Sequence, residues 1–472
     1  MEGQAAFIYT LNNDTICALA TPPGTAAIAV VRISGKDTFA IIDRFFYPAK
    51  KIDSVTEAES HKLLFGTIKD EHGELLDEVL VSVFKKPHSY TGEDAIEISC
   101  HGSVFIQQQL LELLMNNGAR LAEPGEFTMR AFSNGKFDLA QAEAVGDLIA
   151  SHSKTSHELA MQQMRGGYSD KMKALRKQLL DFASLIELEL DFAEEDVEFA
   201  NREELKKLLS YIKKEISSLI ESFSVGNVLK KGIPVTIIGE PNVGKSTLLN
   251  ALLNEEKAIV SEIPGTTRDM VEDSISIDGV TFRFIDTAGL RDSSDSVEAI
   301  GIERTHEQIK KARIILYLFD IRTTDCDEIQ KKLQEFEAVI SDPAKKFILV
   351  ANKIDELAEI PHHFSKMVEL DCVFISAKRK ENLKLVTDHL LKAVDVKNIS
   401  ESTVVSNARH YHELQKVLEA INSVEQAFKQ DIPSDLIAID IRTALYHLGE
   451  ITGEVTTDEL LGNIFGNFCI GK

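Results

Sequence analysis

An apolar β-type run, Val235-Thr-Ile-Ile238, leads directly into Gly239-Glu-Pro-Asn242-Val-Gly244-Lys245-Ser246-Thr247, and an apolar helical pattern begins at Leu248. Strand, G-x-x-x-x-G-K-S and helix in that order make a P-loop. Its glycines let successive backbone N–H groups wrap phosphates, and the following helix points its N-terminus at the anion. Asn242, Val243, Gly244, Lys245, Ser246 and Thr247 are therefore nucleotide-contact candidates, with Lys245 reaching the β/γ oxygens and Ser246 able to ligate Mg²⁺. Residues 232–395 alternate strand and helix patterns, which predicts a parallel, doubly wound sheet around that loop.

Further signals follow in the order a GTPase needs. Thr281 to Ile285 reads as a strand paired through an Asp278-Gly279 hairpin with Val271 to Ile277, and it ends at Asp286-Thr287-Ala288-Gly289. Asp286 is the expected Mg²⁺-side acid. Asn352-Lys353-Ile354-Asp355 ends the strand Phe347 to Val350, and a carboxylate at Asp355 can accept from guanine N1–H and N2–H₂ together. Adenine lacks that donor pair, so binding it would leave a buried carboxylate unpaired. Ser376-Ala377-Lys378, after the strand Cys372 to Ile375, is placed to offer a backbone donor to guanine O6. Upstream, Gly265-Thr266-Thr267-Arg268-Asp269 lies where a switch loop brings a hydroxyl to Mg²⁺, and Thr267 is the ligand expected.

Leu290 follows Gly289 where Ras-like GTPases place a water-orienting glutamine, and leucine cannot hydrogen-bond water. Another group must supply that role if hydrolysis is fast. The acidic segment after it offers Asp292, Asp295 and Glu298, which on segment chemistry alone read equally as solvated loop carboxylates or helix N-terminal charges.

The 472 residues suggest roughly three domains. Lys and Arg number 52 against 75 Asp and Glu, a formal net charge of −23, which excludes a general polyanion binder because phosphate affinity comes mainly from Lys and Arg. Five cysteines, Cys17, Cys100, Cys326, Cys372 and Cys469, are widely spaced without a C-x-x-C pair, so neither a disulfide framework nor a zinc site is expected. Met1 to Asp14 lacks a basic segment followed by an apolar core, and no run approaches a bilayer-spanning length. A soluble, cytoplasmic chain with no membrane span is expected.

The texture divides the chain into an α+β region at 1–137, helices at 138–231, the nucleotide domain at 232–395 and returning helices at 396–472. Strand patterns at Ile28 to Ile33, Glu78 to Phe84 and Ala95 to Ser99, and a helix at Val104 to Asn116, mark the first region. Leu175, Leu179, Phe182, Ile186 and Leu190 mark a long amphipathic helix in the second. The simplest architecture is a nucleotide domain inserted into a discontinuous helical domain. The basic clusters Lys171 to Lys177 and Lys230-Lys231 read first as solvated helix faces and second as nucleic-acid contacts.

The chain resembles the MnmE (TrmE) family of tRNA-modification GTPases over its whole length. The marks are Ala20-Thr-Pro-Pro-Gly24 with Arg32-Ile-Ser-Gly35, Tyr90-Thr-Gly-Glu93-Asp94 with Cys100-His-Gly102, and Pro124-Gly-Glu-Phe-Thr128 with Asn134-Gly-Lys136 and Gln141-Ala-Glu143-Ala144. Gly265 to Asp269, Asp286 to Arg291 and the terminal Phe468-Cys469-Ile-Gly-Lys472 complete them. The resemblance implies an N-terminal tetrahydrofolate-binding domain that also dimerises the protein, a discontinuous helical bundle and an inserted Ras-like G domain. It implies G domains that pair around K⁺, with Asn242, Ser261, Ile263 and Thr266 as potassium positions and Ser261, Thr266 and Thr267 counted in the GTP site. Glu298 becomes the residue expected to position or activate water. Ser261 stands where some relatives use Thr, and Pro264 stiffens the same loop.

The resemblance also carries folate binding, as a 5-formyl or 5,10-methylene derivative, to Arg32, Glu93, Lys136 and Lys472. It places Cys469 near the folate, where redox or nucleophilic chemistry and a structural role both remain open. The implied reaction installs an aminomethyl-type group, commonly carboxymethylaminomethyl, at C5 of the tRNA wobble uridine. A FAD-binding partner, MnmG (GidA), joins the homodimer in a heterotetramer or larger assembly and uses NADH. No G-x-G-x-x-G follows a strand here, which fits a flavin carried by the partner. Two other readings are a ribosome-assembly GTPase, for which no basic accessory region is evident from Met1 to Val228, and a folate one-carbon transferase with a regulatory G domain.

Overall fold

The computed structural model describes residues 14–49, 54–191, 202–256, 274–285, 307–357, 372–394, 404–430 and 432–471. Ser261, Ile263, Thr266, Thr267, Asp286, Thr287, Ala288, Gly289, Leu290, Glu298 and Lys472 lie outside them. The chain divides into two compact units, one of residues 1–149, 162–213 and 413–472, the other of 150–161 and 214–412. Both divisions that flank the nucleotide domain fall inside helices, Arg202–Lys231 and Ala408–Lys429, rather than at their ends.

In the first unit, β1 (Ile16–Leu19), β2 (Ile28–Ser34), β3 (Phe46–Pro48), β4 (Lys62–Lys69), β5 (Leu75–Phe84), β6 (Ala95–His101) and β7 (Arg120–Leu121) form one sheet, ordered β3-β4-β5-β6-β2-β1-β7. Pairing is antiparallel except between β1 and β7. Alternation along β5 turns Asp77, Val79, Val81 and Val83 inward and Glu78 and Leu80 outward, as a sheet with one packed face requires. Val79, Val81 and Val83 join Leu110, Leu113 and Leu114 of the helix Val104–Asn116 in one core.

The helical part of this unit joins distant stretches of chain. In Gly167–Asp191 the buried positions Leu175, Leu179, Phe182 and Ile186 recur at helical spacing. Phe182 meets Phe428 with ring centroids 6.2 Å apart, and the Arg176–Glu454 ion pair, at 2.6 Å, ties the helix to the end of Ser434–Thr452.

The second unit contains β8 (Ile233–Ile238), β9 (Ser274–Ile277), β10 (Val280–Phe284), β11 (Ile314–Asp320), β12 (Lys346–Asn352) and β13 (Val373–Phe374), ordered β13-β12-β11-β8-β10-β9. Only β9 runs antiparallel, joined to β10 by Asp278 (φ 47°) and Gly279 (φ 82°), the left-handed pair that a tight hairpin of matching twist needs. Every residue of β11 is buried, because apolar clusters cover both faces: Ile314, Leu316 and Leu318 on one, Ile315, Tyr317 and Phe319 on the other. This is a doubly wound, Ras-like sheet. Order reverses on either side of β8, so the loop leaving its C-terminal end sits at the crevice where such sheets bind ligands.

Candidate functional site

The P-loop leaves β8 and enters the helix Lys245–Glu256. Gly244 has φ 101°, and a Cβ there would collide with the Asn352 side-chain amide, so only glycine lets the loop and β12 approach this closely. Asn242 is also left-handed at φ 61°, a conformation asparagine tolerates better than most side chains. The Lys245 ammonium donates to the Gly239 carbonyl at 2.7 Å and the Glu240 carbonyl at 2.8 Å. Burial pushes its pKa below the usual lysine value, with Glu240 opposing.

Asn352 is the keystone of the far end of this site. It is 2% exposed, and both ends of its amide are used. Nδ2 donates to the Val243 carbonyl at 2.8 Å, while Oδ1 accepts from the Ala377 N–H at 3.0 Å. One side chain thus fixes the P-loop to the Ser376-Ala377-Lys378 loop. Lys353, left-handed at φ 70°, sends Nζ to the Asn242 carbonyl at 2.7 Å and to Asp320 Oδ2 at 2.8 Å. A non-glycine residue held there carries strain of the kind stored at functional sites. The Arg322 guanidinium, then Lys353, hold the Asp320 carboxyl far below the usual carboxylate range against the effect of burial. The Ser376 hydroxyl donates to Asp355 Oδ1 at 2.7 Å and lowers the Asp355 pKa, with weaker help from Arg379 and Lys378. The structure therefore gathers Asn242, Val243, Gly244, Lys245, Asn352, Lys353, Asp355, Ser376 and Ala377, with Ser246 and Thr247 on the first helical turn and Lys378 on the adjoining loop. Asp320 belongs to this group although no motif singles it out. Its signal is its place at the end of the all-apolar strand Ile314 to Phe319.

A second constellation lies on the N-terminal sheet. Arg32 faces Glu97 across β2 and β6, and donates to Glu97 Oε1 through Nε at 2.9 Å and Nη2 at 2.7 Å. Its guanidinium carbon lies 5.4 Å from the Tyr90 ring centre and 5.6 Å from that of Phe127. Nη1 donates to the Gly471 carbonyl at 3.1 Å, which brings the C-terminal Cys-Ile-Gly-Lys segment to Arg32. The Gly125 N–H reinforces this by donating to the Cys469 carbonyl at 3.4 Å.

Glu93 accepts from Ser34 at 2.8 Å and from Arg130 at 3.3 Å. Arg130 also holds Asp14 at 2.7 Å and Glu126 at 2.9 Å, and its side chain and that of Glu126 are each 5% exposed. Burial alone would raise the Glu126 pKa, but hydrogen bonds from Arg120, Glu123 N–H and Arg130 bring it below the ordinary value. The Lys136 ammonium donates to the Pro87 carbonyl at 3.0 Å, and Lys136 lines a cavity of about 370 Å³ whose wall includes Tyr90, the ring that also faces Arg32. Burial pushes the Cys17 thiol to about 12 and the Cys100 thiol to about 11, whereas Cys469 is exposed. Tyr90 and Phe127 occur in the sequence motifs without an evident role. Glu126 likewise lies in the motif Pro124 to Thr128, whereas Glu97, Arg130 and Asp14 are found only through strand register and helix packing.

Residues 139–469 match the family described as MnmE helical domain, and residues 15–136 match GTP-binding protein TrmE N-terminus. The protein of Cytophaga hutchinsonii named tRNA modification GTPase MnmE is 52% identical over 464 residues, covering 98% of this chain and 99% of that one. Proteins of the same name from Christiangramia forsetii and Flavobacterium johnsoniae are each 53% identical, over 98% of this chain and 99% and 100% of theirs. With the P-loop, the loops at Asn352 and Ser376 and the Arg32 constellation carried by one chain, these full-length similarities have a single reading: the chain belongs to the MnmE family of tRNA modification GTPases.

Proposed function

We propose that this chain is a K⁺-activated GTPase which, with a FAD-dependent partner, installs an aminomethyl-type group at C5 of the tRNA wobble uridine from a folate one-carbon unit. The observation that carries the GTPase part is Asn352 joining the P-loop to the Ser376-Ala377-Lys378 loop beside Asp355. A carboxylate, fixed by a hydroxyl and next to a backbone N–H donor, matches the hydrogen-bonding edge of guanine.

The residues present fit the groups this reading needs. Glycine at 244 lets the P-loop pass close to Asn352 where a Cβ would collide with its amide, and Ser246 stands in the first turn of the helix, from which a hydroxyl can reach Mg²⁺. Asn242 is exposed on the loop, as a K⁺ ligand from side chain or carbonyl must be; Ser261, Ile263 and Thr266 would complete that ring and Thr267 the Mg²⁺ set. Glu298 positions or activates water in this reading. Arg32 between two aromatic rings, with Glu93, suits the polar edge and flat face of a pterin, and Lys136 suits a carboxylate, with Lys472 completing the set. Folate supplies the one-carbon unit when bound; FAD and NADH belong to the MnmG-type partner. The 1–137, 138–231, 232–395 and 396–472 divisions are retained as functional domains.

The homodimer has its own support. On the outward sheet face, the row Arg32, Glu97, Ser82 and Leu63 runs beside the row Val30, Ser99, Leu80 and Phe65. Leu63, Phe65 and Leu80 are 60%, 52% and 40% exposed. An apolar strip continuous with the Arg32 site suits cover by a second copy of the same chain.

The test is GTP turnover in KCl and NaCl at matched ionic strength over a range of protein concentrations. Activation by K⁺ that rises with concentration is expected; equal rates in both salts remove the paired-G-domain mechanism. In the same assay Glu298→Ala keeps GTP affinity and loses turnover, while Cys469→Ser keeps turnover and, with partner and tRNA present, loses the modified nucleoside.

A further inference from the structure

An α-helix leaves backbone hydrogen-bonding groups unpaired only at its two ends, N–H groups at the first and carbonyls at the last. In the helix Lys154–Met164, groups at both ends are taken up by other parts of the chain. At the start, the Thr155 N–H and the Thr155 hydroxyl each donate to the Gly279 carbonyl at 3.1 Å. Gly279 belongs to the tight turn between β9 and β10, and a Cβ on it would stand 2.7 Å from the Lys154 Cβ, so the hairpin tip rests directly on the helix start. Ser153 and Ser156 fix that start reciprocally, each hydroxyl accepting from the other residue's N–H, at 3.2 and 3.1 Å.

At the other end, Gln141 Nε2 donates to the Met164 carbonyl at 3.2 Å, while Gln141 Oε1 accepts from the Asp138 N–H at 3.0 Å. The Gln141 N–H and the Ser169 hydroxyl hold Asp138 Oδ1 at 3.0 and 2.9 Å. One side-chain amide thus joins the helix end to the turn that carries Lys136. We infer that the helix Lys154–Met164 carries the nucleotide state of the G domain to the Lys136 turn, with Thr155 and Gln141 as the positioning residues at its two ends. The strands β9 and β10 lie in the chain between 265–269 and 286–289, the segments expected to respond to the nucleotide, so a change in either acts on the hairpin they flank. The division of the chain into two units falls inside this helix, after Met161, and each unit holds one end of it. A helix is a rigid element, which suits it to pass a displacement of one end to the other. For its consequence in the reaction this inference rests on the folate reading of Lys136; the helix contacts themselves do not.

The test uses the full-length protein in KCl with Mg²⁺ and either GDP or guanosine 5′-(β,γ-imido)triphosphate, and follows amide exchange at Lys136, Phe137 and Asp138. In the wild type the exchange rates should differ at least threefold between the two nucleotides. Thr155→Val, close in shape but without the hydroxyl, should shrink that difference, and Gln141→Leu, which cuts both amide hydrogen bonds, should abolish it. Affinity for each nucleotide should stay within twofold of wild type in both variants, which a general loss of structure would not allow. Each variant is decisive by itself, so the failure of one to fold leaves the other to judge. Titration of 5-formyltetrahydrofolate under the two nucleotides is the second readout, with an expected affinity ratio of about fivefold or more in the wild type that collapses in the variants. Nucleotide-dependent exchange with a folate ratio of one would sink the folate reading of Lys136 and leave the coupling standing. Wild-type exchange that ignores the nucleotide, or a full nucleotide effect retained in either variant, would overturn the inference.

Discussion

Asn352 and Val243, 109 residues apart in the chain, are joined by a 2.8 Å hydrogen bond from the asparagine side chain to the valine carbonyl, and Asn352 is held in turn by the Ala377 N–H. The nucleotide site is therefore a closed mechanical unit, in which a shift of the P-loop pulls on the Ser376-Ala377-Lys378 loop through Asn352.

Asn352→Ala removes both hydrogen bonds and leaves a carbonyl and an N–H buried without partners. Each unsatisfied group costs about 1–3 kcal/mol. The expected result is loss of several kcal/mol of G-domain stability in urea unfolding, with at least a tenfold loss of GTP affinity by fluorescent-nucleotide titration. Gly244→Ala should be as damaging to affinity, since its Cβ meets the same amide and its φ of 101° disfavours a side chain. Wild-type affinity in either variant would refute the coupling.

Asp355 should read the base. Asparagine at that position replaces one acceptor by a donor, which mismatches guanine N2–H₂ and matches the C2 carbonyl of xanthine. Asp355→Asn should lower GTP affinity on the order of 10²-fold and favour xanthosine triphosphate over GTP in competition. The pH dependence follows from the sign of the shift. Because Ser376 lowers the folded pKa below the unfolded value, the stability contributed by the Asp355 carboxylate is present above about pH 4 and lost as pH falls through the folded value. The Asp355 contribution to GTP affinity, read as the wild-type to Asp355→Asn affinity ratio so that titration of the triphosphate cancels, should accordingly be flat from about pH 8 to pH 5; a decline of that ratio beginning near pH 6 would mean another protein group controls it.

The readable and unreadable parts of this molecule differ by the range of the interactions that fix them. The Asp278-Gly279 hairpin and the helix Val104–Asn116 stand where local sequence places them, because turn conformation and helical periodicity are decided by neighbours. The meeting of Asn352, Asp355 and Ser376 follows from their spacing along alternating strands, which the sheet imposes. What spacing cannot convey is the double use of the Asn352 amide, the pairing of Asp320 with Lys353, or the contact of Arg32 with Gly471 across 439 residues. Each depends on strands of distant sequence lying side by side. That Glu93 joins a network with the buried Arg130 and Glu126 and the half-buried Asp14 was hidden for a different reason, since individually these residues have the composition of a solvated surface.

Arg32→Lys tests the second constellation. Lysine keeps the charge but loses the planar group that lies over Tyr90 and Phe127 while reaching Glu97 and the Gly471 carbonyl. The expected outcome is at least tenfold weaker binding of 5-formyltetrahydrofolate in an equilibrium titration. GTP turnover should be unchanged. Detachment of the C-terminal segment should appear as faster amide exchange at Ile470 and Gly471. Unchanged folate affinity would move the folate away from Arg32, and unchanged exchange would show that the Gly125–Cys469 contact alone holds the tail.

Phe65 stands centrally in the outward strip, opposite Leu80 and next along its strand face to Leu63. Phe65→Asp places a charge where a second copy would need an apolar surface, while a ring already 52% exposed contributes little to its own unit's core. The thermal midpoint of a dilute sample should therefore stay close to wild type, and sedimentation should show a shift from dimer toward monomer. Because the strip runs beside the Arg32 row, folate affinity should fall with dissociation and recover at high protein concentration. A variant that remains dimeric under dilution would place the dimer contact on another surface of the chain.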